Sequence, residues 1–301
     1  MNRFAFWYFC FMLMEKIHAP IEEINDPMIN KFGVKLFVKR EDLIHPHISG
    51  NKWRKLKYNI IEAKRLSQNT LLTFGGAFSN NIIATASAGK EFEFKTIGII
   101  RGEEHFPLNP ILQFAKDCGM ELHYIDRTAY RQKEDEQFIK NLKLKFADFY
   151  LLPEGGSNDF AVKGCTEILN DVEINFNHVC CCCGTGATLA GIILSLKENQ
   201  NAIGFSVLKG TTFLNKNVRS FINSSSHHWE INHDYHFGGY AKTTKELLKF
   251  IEGFELRNKI PIEPIYTGKM FFGIYDLIKK DFFKKGETIL AIHTGGLQKR
   301  K

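Results

Sequence analysis

A lysine at the first turn of a helix is chemically unlike one on a solvated face. The stretch Gly50-Asn51-Lys52-Trp53-Arg54-Lys55-Leu56-Lys57 follows a strand-like run, Val34-Lys35-Leu36-Phe37-Val38, and a charged link, Lys39-Arg40-Glu41-Asp42-Leu43. The glycine frees the backbone, the asparagine offers a short amide, and Lys52 falls where a helix begins. The positive end of a helix dipole disfavours another positive charge there. It therefore favours the neutral amine, which can attack an aldehyde. The competing reading is a solvated lysine on an amphipathic helix. Lys55 and Lys57 read as surface lysines of that ordinary kind.

Other loops carry chemistry-bearing residues at strand ends. They are Gly75-Gly76-Ala77-Phe78-Ser79-Asn80-Asn81, Gly184-Thr185-Gly186-Ala187-Thr188 and His293-Thr294-Gly295-Gly296, with a further segment, Glu263-Pro264-Ile265-Tyr266-Thr267-Gly268-Lys269. The 184–188 loop is either a tight strand–helix turn or a phosphate cradle, since converging backbone N–H groups at a helix start favour an anion. Ser79 or Asn80 also suits a plain helix cap, and Thr294 suits a structural cap.

The elements that must position these loops alternate. Apolar strand-like runs fall at 36–39, 70–74, 95–100, 121–125, 148–152, 178–183, 202–207 and 288–292. Amphipathic helical patterns fall at 52–66, 80–92, 110–118, 135–145, 162–170, 188–196, 243–252 and 270–280. This alternation predicts an α/β fold, a parallel sheet with helices on both faces. No internal repeat or low-complexity linker breaks it.

Composition excludes several function classes. The chain has 301 residues, 44% hydrophobic and 24% charged, with a net charge of +7. Lysine and arginine are interleaved with acids, as in Arg131-Gln132-Lys133-Glu134-Asp135-Glu136, so no basic block marks a nucleic-acid site. The positive balance suits a phosphorylated cofactor and an amino-acid carboxylate. Four of the seven cysteines form the run 180–183. Neighbours on a strand point to opposite faces, so the four cannot share a metal. They read as small apolar residues on a buried parallel strand, and their thiols fit a reducing cytosol. His45, His47, His227 and His228 lack metal-ligand spacing and read as solvated loop residues. The run Phe4-Ala5-Phe6-Trp7-Tyr8-Phe9-Cys10-Phe11-Met12-Leu13-Met14 is too short to span a bilayer. No small-residue cleavage site follows it. Residues 1–14 are expected to be dispensable, with translation beginning at Met14; a weak membrane-touching segment is the alternative.

Taken together and in this order, the motifs resemble the pyridoxal-phosphate enzymes of the tryptophan-synthase-beta fold type (fold type II). Within it they resemble the branch of 1-aminocyclopropane-1-carboxylate deaminase and D-cysteine desulfhydrase, from about residue 15 to residue 298. The resemblance implies two open twisted, mostly parallel sheets flanked by helices. It implies a small domain, 49–149, inserted in a large cofactor-binding domain, 15–48 with 150–301, and a cleft between them. It implies a homodimer acting on a small amino acid.

Residue by residue, Lys52 is then the lysine that bonds the cofactor aldehyde and later serves as base. Gly184, Thr185, Gly186, Ala187 and Thr188 hold the phosphate, although relatives often carry a second glycine where Ala187 stands. Asn80 contacts the ring hydroxyl. Ser79, Asn80, Asn81 and Tyr266 meet the substrate, although relatives commonly have His or Gln at the place of Asn81. Thr267 faces the pyridine nitrogen, and Thr294 is a second neighbour for it. The deaminase branch carries an acid where Thr267 stands. A neutral hydroxyl makes the ring a weaker electron sink. That favours α,β-elimination of a thiolate from D-cysteine over opening of a cyclopropane ring. A cofactor-binding protein with little catalysis, disabled at Asn81 and Ala187, is the alternative of another class.

Overall fold

The structure, a computed structural model, describes residues 17–211, 213–223 and 225–297; the segment 1–14 and both readings of it lie outside these. In chain order the first elements are β1 (Ile21–Glu23), α1 (Pro27–Lys31), β2 (Lys35–Lys39), α2 (Asn51–Arg65), β3 (Thr70–Gly76), α3 (Asn80–Phe92), β4 (Lys95–Arg101), α4 (Pro110–Asp117) and β5 (Met120–Ile125). Then come α5 (Arg127–Arg131), α6 (Glu136–Phe146), β6 (Tyr150–Leu152), α7 (Asp159–Cys165), β7 (His178–Cys183), α8 (Ala187–Leu194) and β8 (Asn201–Ser206). The chain closes with α9 (Phe213–Ile222), β9 (Trp229–Asn232), α10 (Lys245–Asn258), α11 (Thr267–Lys279) and β10 (Thr288–Ile292).

The strands form two sheets. One has six strands in the order β1-β2-β10-β7-β8-β9, and the other has four in the order β5-β4-β3-β6. Only the β1–β2 pair is antiparallel; every other pair is parallel. The small sheet therefore takes its strands from residues 70–152, and the large sheet takes its strands from both sides of that stretch.

The cysteine strand shows why a parallel sheet forms here. Cys180 and Cys182 pack into one core, with Phe205, Phe271 and Ile289. Cys181 and Cys183 pack into the other, with Leu189, Ile192 and Leu290. Alternation thus sends thiols to both faces, each covered by helices. Burial pushes the Cys182 and Cys183 thiols up to about 12, so they stay protonated.

Helix α2 shows the other period. Trp53, Leu56, Ile60 and Ala63 line one stripe in a third core, against Leu71, Ala84 and Leu152. Its opposite face lies on α7, where a Cβ on Gly164 would sit 1.8 Å from the Arg54 carbonyl oxygen.

Several elements depart from the expected pattern. The edge strands β1 and β9 have three and four residues, too few for a period-two signal. Helix α9 was not expected, although Leu214, Val218 and Ile222 form a buried stripe at four-residue spacing. Helix α10 runs on to Asn258, past Gly253, because Ile251 and Phe254 continue its buried face. The pattern at 162–170 divides into α7, capped by the Asn158 side chain, and a 3-10 turn at Thr166–Leu169.

The charged link after β2 is interior. Lys39, Arg40, Glu41 and Asp42 are all buried. Arg54 grips Glu41 through two contacts of 2.9 Å. Arg40 grips Asp42 at 2.9 and 2.8 Å, and Lys39 meets Asp171 at 2.6 Å. Buried charges persist only when paired in this way.

Candidate active site

Both sheets point the C-terminal ends of their strands at one cavity of about 740 Å³. Gly76 ends β3, Arg101 ends β4, Pro153 follows β6, Gly184 follows β7 and Thr294 follows β10; all of them line it. Open α/β sheets bind ligands at such ends.

Lys52 reaches the cavity because the chain turns sharply at Gly50. That residue has φ +63°, and a Cβ there would fall 2.0 Å from the Thr294 carbonyl oxygen. Only glycine lets the two loops touch. Lys52 sits in the first turn of α2 and donates from Nζ to the Gly155 carbonyl at 3.0 Å.

The surface reading of Lys55 and Lys57 is corrected, since both are buried. Lys55 lies one turn after Lys52 on the same face and also donates to Gly155 O at 3.0 Å. It reaches Ser157 Oγ at 3.2 Å and Thr185 Oγ1 at 3.4 Å. Burial pushes its pKa down, because desolvation disfavours the ammonium. An anion beside it would favour the ammonium. Lys57 turns away from the cavity and pairs with Glu167 at 2.7 Å.

The loop after β7 completes an anion site. Gly186 takes φ +97° and precedes α8, whose first-turn N–H groups have no side-chain cap. Thr185 shares a hydrogen bond with Ser157. Asn51 Nδ2 donates to Thr188 Oγ1 at 2.9 Å, joining this loop to the lysine helix. Gly184, Thr185, Gly186 and Thr188 line the cavity, whereas Ala187 packs its methyl into the core. Ala187 is the first residue of α8, where helical φ suits alanine. An ammonium, two hydroxyls and uncapped helix N–H groups form a donor set that fits a phosphate.

Ser79, Asn80 and Asn81 also line the cavity. Ser79 caps α3, its Oγ accepting from Asn81 N at 3.2 Å. The Asn81 side chain is tied back into the small sheet. Its Nδ2 donates to Thr73 Oγ1 at 2.7 Å, and Thr73 donates to the Leu152 carbonyl at 3.0 Å. One of its two amide N–H groups is thereby used, and its buried Oδ1 has no protein partner. Asn80 keeps a buried Oδ1 without a protein partner.

Tyr266 lines the cavity, and Thr267 does not. The Thr267 hydroxyl is fully buried and accepts from Glu263 N at 3.0 Å. The Glu263 carboxylate in turn accepts from the N–H groups of Ile265, Tyr266 and Thr267 at 2.8, 2.6 and 2.8 Å. Thr267 thus serves the start of α11, and its place beside the ring nitrogen remains a proposal drawn from the resemblance. Thr294 is on the cavity wall, with Oγ1 2.8 Å from Cys182 Sγ.

Sequence reasoning passed over Lys55 and Tyr240. In sequence Lys55 reads as a surface lysine, although i+3 spacing puts it on the face of Lys52. Tyr240 crosses Tyr266 edge-on at 5.9 Å, and the two hydroxyls are hydrogen-bonded. Burial raises both phenols, so both stay protonated. Nothing local in the sequence distinguishes Tyr240, which arrives on a loop between β9 and α10.

Fold and site together define an α/β enzyme with a lysine and a glycine-rich loop on one cavity, a donor set that fits a phosphorylated aldehyde. The profile of the family described as pyridoxal-phosphate dependent enzymes matches residues 19–295, and the chain belongs to that family. A Pyrococcus furiosus protein provisionally named a 1-aminocyclopropane-1-carboxylate deaminase is 33% identical, over 93% of this chain and 89% of its own. An Arabidopsis thaliana protein named as a bifunctional, mitochondrial D-cysteine desulfhydrase/1-aminocyclopropane-1-carboxylate deaminase is 30% identical, over 93% of this chain and 76% of its own. The crystal structure of an ACC deaminase homologue is 28% identical and matches with a TM-score of 0.81, covering 96% of this chain and 95% of that one. The cofactor is pyridoxal phosphate, and the resemblance in sequence is upheld in both family and fold.

No helix among the described residues is long and apolar enough to cross a membrane.

Proposed function

We propose that the protein catalyses α,β-elimination from a small amino acid, D-cysteine first, releasing pyruvate, ammonia and sulfide. Pyridoxal phosphate, when bound to Lys52, supplies the sink for electrons of the bond broken at Cα. The chain's own residues do the rest. The Lys52 amine takes the Cα proton. Lys55, Thr185, Thr188 and the N–H groups of α8 hold the phosphate. Ser79 and the backbone of the 79–81 loop hold the substrate carboxylate. Tyr266 and Tyr240, kept protonated by burial, act as proton donors toward the departing group.

The neutral Thr294 wall carries this reading. Its hydroxyl is backed by a protonated thiol, and Glu263 spends its carboxylate on three backbone N–H groups. Taken as the neighbour of the ring nitrogen, Thr294 offers no counter-charge to keep a proton there. Elimination tolerates a weaker sink, because a thiolate carries the electron pair away from Cβ. Cyclopropane opening has no such leaving group. The names of the relatives keep 1-aminocyclopropane-1-carboxylate deamination as the second reading. A ketoacid assay on the holoenzyme separates the two: pyruvate from D-cysteine supports elimination, and faster 2-oxobutanoate from the cyclopropane amino acid overturns it. Silence on both substrates, and on L-cysteine and D-serine, supports a binding protein with little catalysis.

The same reading takes 49–149 as a small domain within a large one, 15–48 with 150–301. It takes the enzyme to be a cytosolic homodimer; light scattering tests the dimer.

A further inference from the structure

The cavity is lined by four cationic side chains, Lys52, Lys55, Arg101 and Lys133, and by two carboxylates, Glu134 and Glu154. Lys52 and Lys55 belong to the cofactor. Lys133 is matched by its acids, at 3.4 Å from Glu154 and 3.6 Å from Glu134. Arg101 is the surplus: it forms no ion pair among the described residues.

Its position is built rather than incidental. Arg101 ends β4 in register with Gly76, the last residue of β3. A Cβ on Gly76 would lie 3.4 Å from Arg101 Nη2, so the missing side chain leaves room for the guanidinium over the start of the 75–81 loop. The guanidinium carbon stands 5.6 Å from the centre of the Tyr130 ring. Tyr130 is buried and is itself fixed by a 2.8 Å hydrogen bond to Glu154. An aromatic face steadies the cation without neutralising it. Its N–H fork therefore remains available at the rim, beside the loop that carries Ser79.

We infer that Arg101 recognises an anionic group on the substrate side chain, a carboxylate, sulfonate or phosphate carried on Cβ. The inference rests on the elimination reading and extends its substrates beyond D-cysteine, whose thiol is no such oxyanion. Planar guanidinium groups bind such oxyanions in bidentate fashion. Where the anionic group is also the leaving group, the balance is simple. The Cα–H bond breaks and its proton goes to the base. The Cβ–X bond breaks and X leaves with the electron pair. The enamine so released takes up water and yields pyruvate and ammonium.

The test uses the holoenzyme and two substrates that differ in side-chain charge, O-phosphoserine and O-acetylserine, each as both enantiomers. Binding is measured in parallel by calorimetry with 2-methyl-O-phosphoserine, which has no Cα hydrogen and cannot turn over. The parent should prefer the phosphorylated substrate. Arg101→Ala should lose about 10- to 100-fold in kcat/KM on it, mainly through KM, and bind the methyl analogue more weakly by a similar factor. It should change turnover of the acetyl substrate by less than about threefold, and Arg101→Lys should recover part of the loss. An equal loss on both substrates assigns Arg101 to the shared carboxylate and overturns the inference. Unchanged affinity for the methyl analogue overturns it as well. If neither substrate nor D-cysteine gives pyruvate while the analogue still binds through Arg101, the elimination reading fails and the anion site stands.

Discussion

Lys52 and Lys55, one helical turn apart on α2, donate to the same acceptor, the Gly155 carbonyl, each at 3.0 Å. Two lysine amines share one acceptor, and an anion between Lys55 and Thr185 would give Lys55 a partner of its own. Lys55→Met should weaken cofactor retention about 10- to 100-fold, the worth of a charge-assisted hydrogen bond. Borohydride reduction followed by peptide mapping should still find the pyridoxyl group on Lys52. Dialysis with absorbance measures the first, and a label found on Lys55 would reverse the two roles.

Ser79 has two possible employments, since its Oγ caps α3 and also lines the cavity. Ser79→Ala should keep the cofactor and lose on the order of a hundredfold in turnover, as for a positioned proton-transfer group. Parental turnover would reduce Ser79 to its cap.

Thr267 and Thr294 should separate stability from chemistry. Thr267→Val removes the acceptor for Glu263 N and should cost about 1 kcal/mol in urea unfolding, with substrate preference unchanged. Thr294→Val should leave stability nearly intact while moving the absorbance of the bound cofactor and slowing turnover. A Thr267 variant that changes the D-cysteine to cyclopropane ratio would return that residue to the site.

Glu41 is buried in a bidentate pair with Arg54. Glu41→Gln leaves the guanidinium without its counter-charge and should cost about 3–5 kcal/mol. Urea denaturation of the cofactor-loaded protein reads it directly, and a loss under about 1 kcal/mol would show that water or Glu167 takes over.

Lys269 is buried, with Nζ 2.8 Å from the carbonyls of both His236 and Gly239, on the loop that delivers Tyr240. Burial pushes its pKa down from 10.5 to about 8. Between these values the unfolded chain binds a proton that the folded chain does not, so stability rises with pH across that window. The contribution is lost as pH falls through the folded value. Lys269→Met should flatten the rise and, by loosening the Tyr240 loop, lower kcat more than it changes KM. Denaturation midpoints at about pH 7.5 and about pH 9.5 test the first half; an identical slope in parent and variant would discard it.

Much of the fold was legible because its strands are long and apolar. The runs at 178–183 and 288–292 match β7 and β10 to the residue. The edge strands β1 and β9 were not, because three or four half-exposed residues carry no usable period. In the site, glycines and hydroxyls at strand ends picked out Lys52, the 184–188 loop and the 79–81 loop, which meet at one cavity. Thr267 was placed by the resemblance alone, and its hydroxyl is bonded within the start of α11. Lys55 was hidden by its type: a lysine reads as exposed until a specific acceptor, here Gly155, Ser157 and Thr185, draws it inward.

The position of β10 has a consequence for how the chain is made. This last strand lies between β2 and β7, so the middle of the large sheet is translated after everything that flanks it. The small sheet has all its strands by residue 152. On the ribosome, β2 and β7 must therefore wait, each with an apolar edge unpaired, for a segment synthesised after both. Domains assemble in order of synthesis where their parts allow it. Here the large sheet closes only once β10 has been made, and a chain cut short before Thr288 would keep both edges open to other chains.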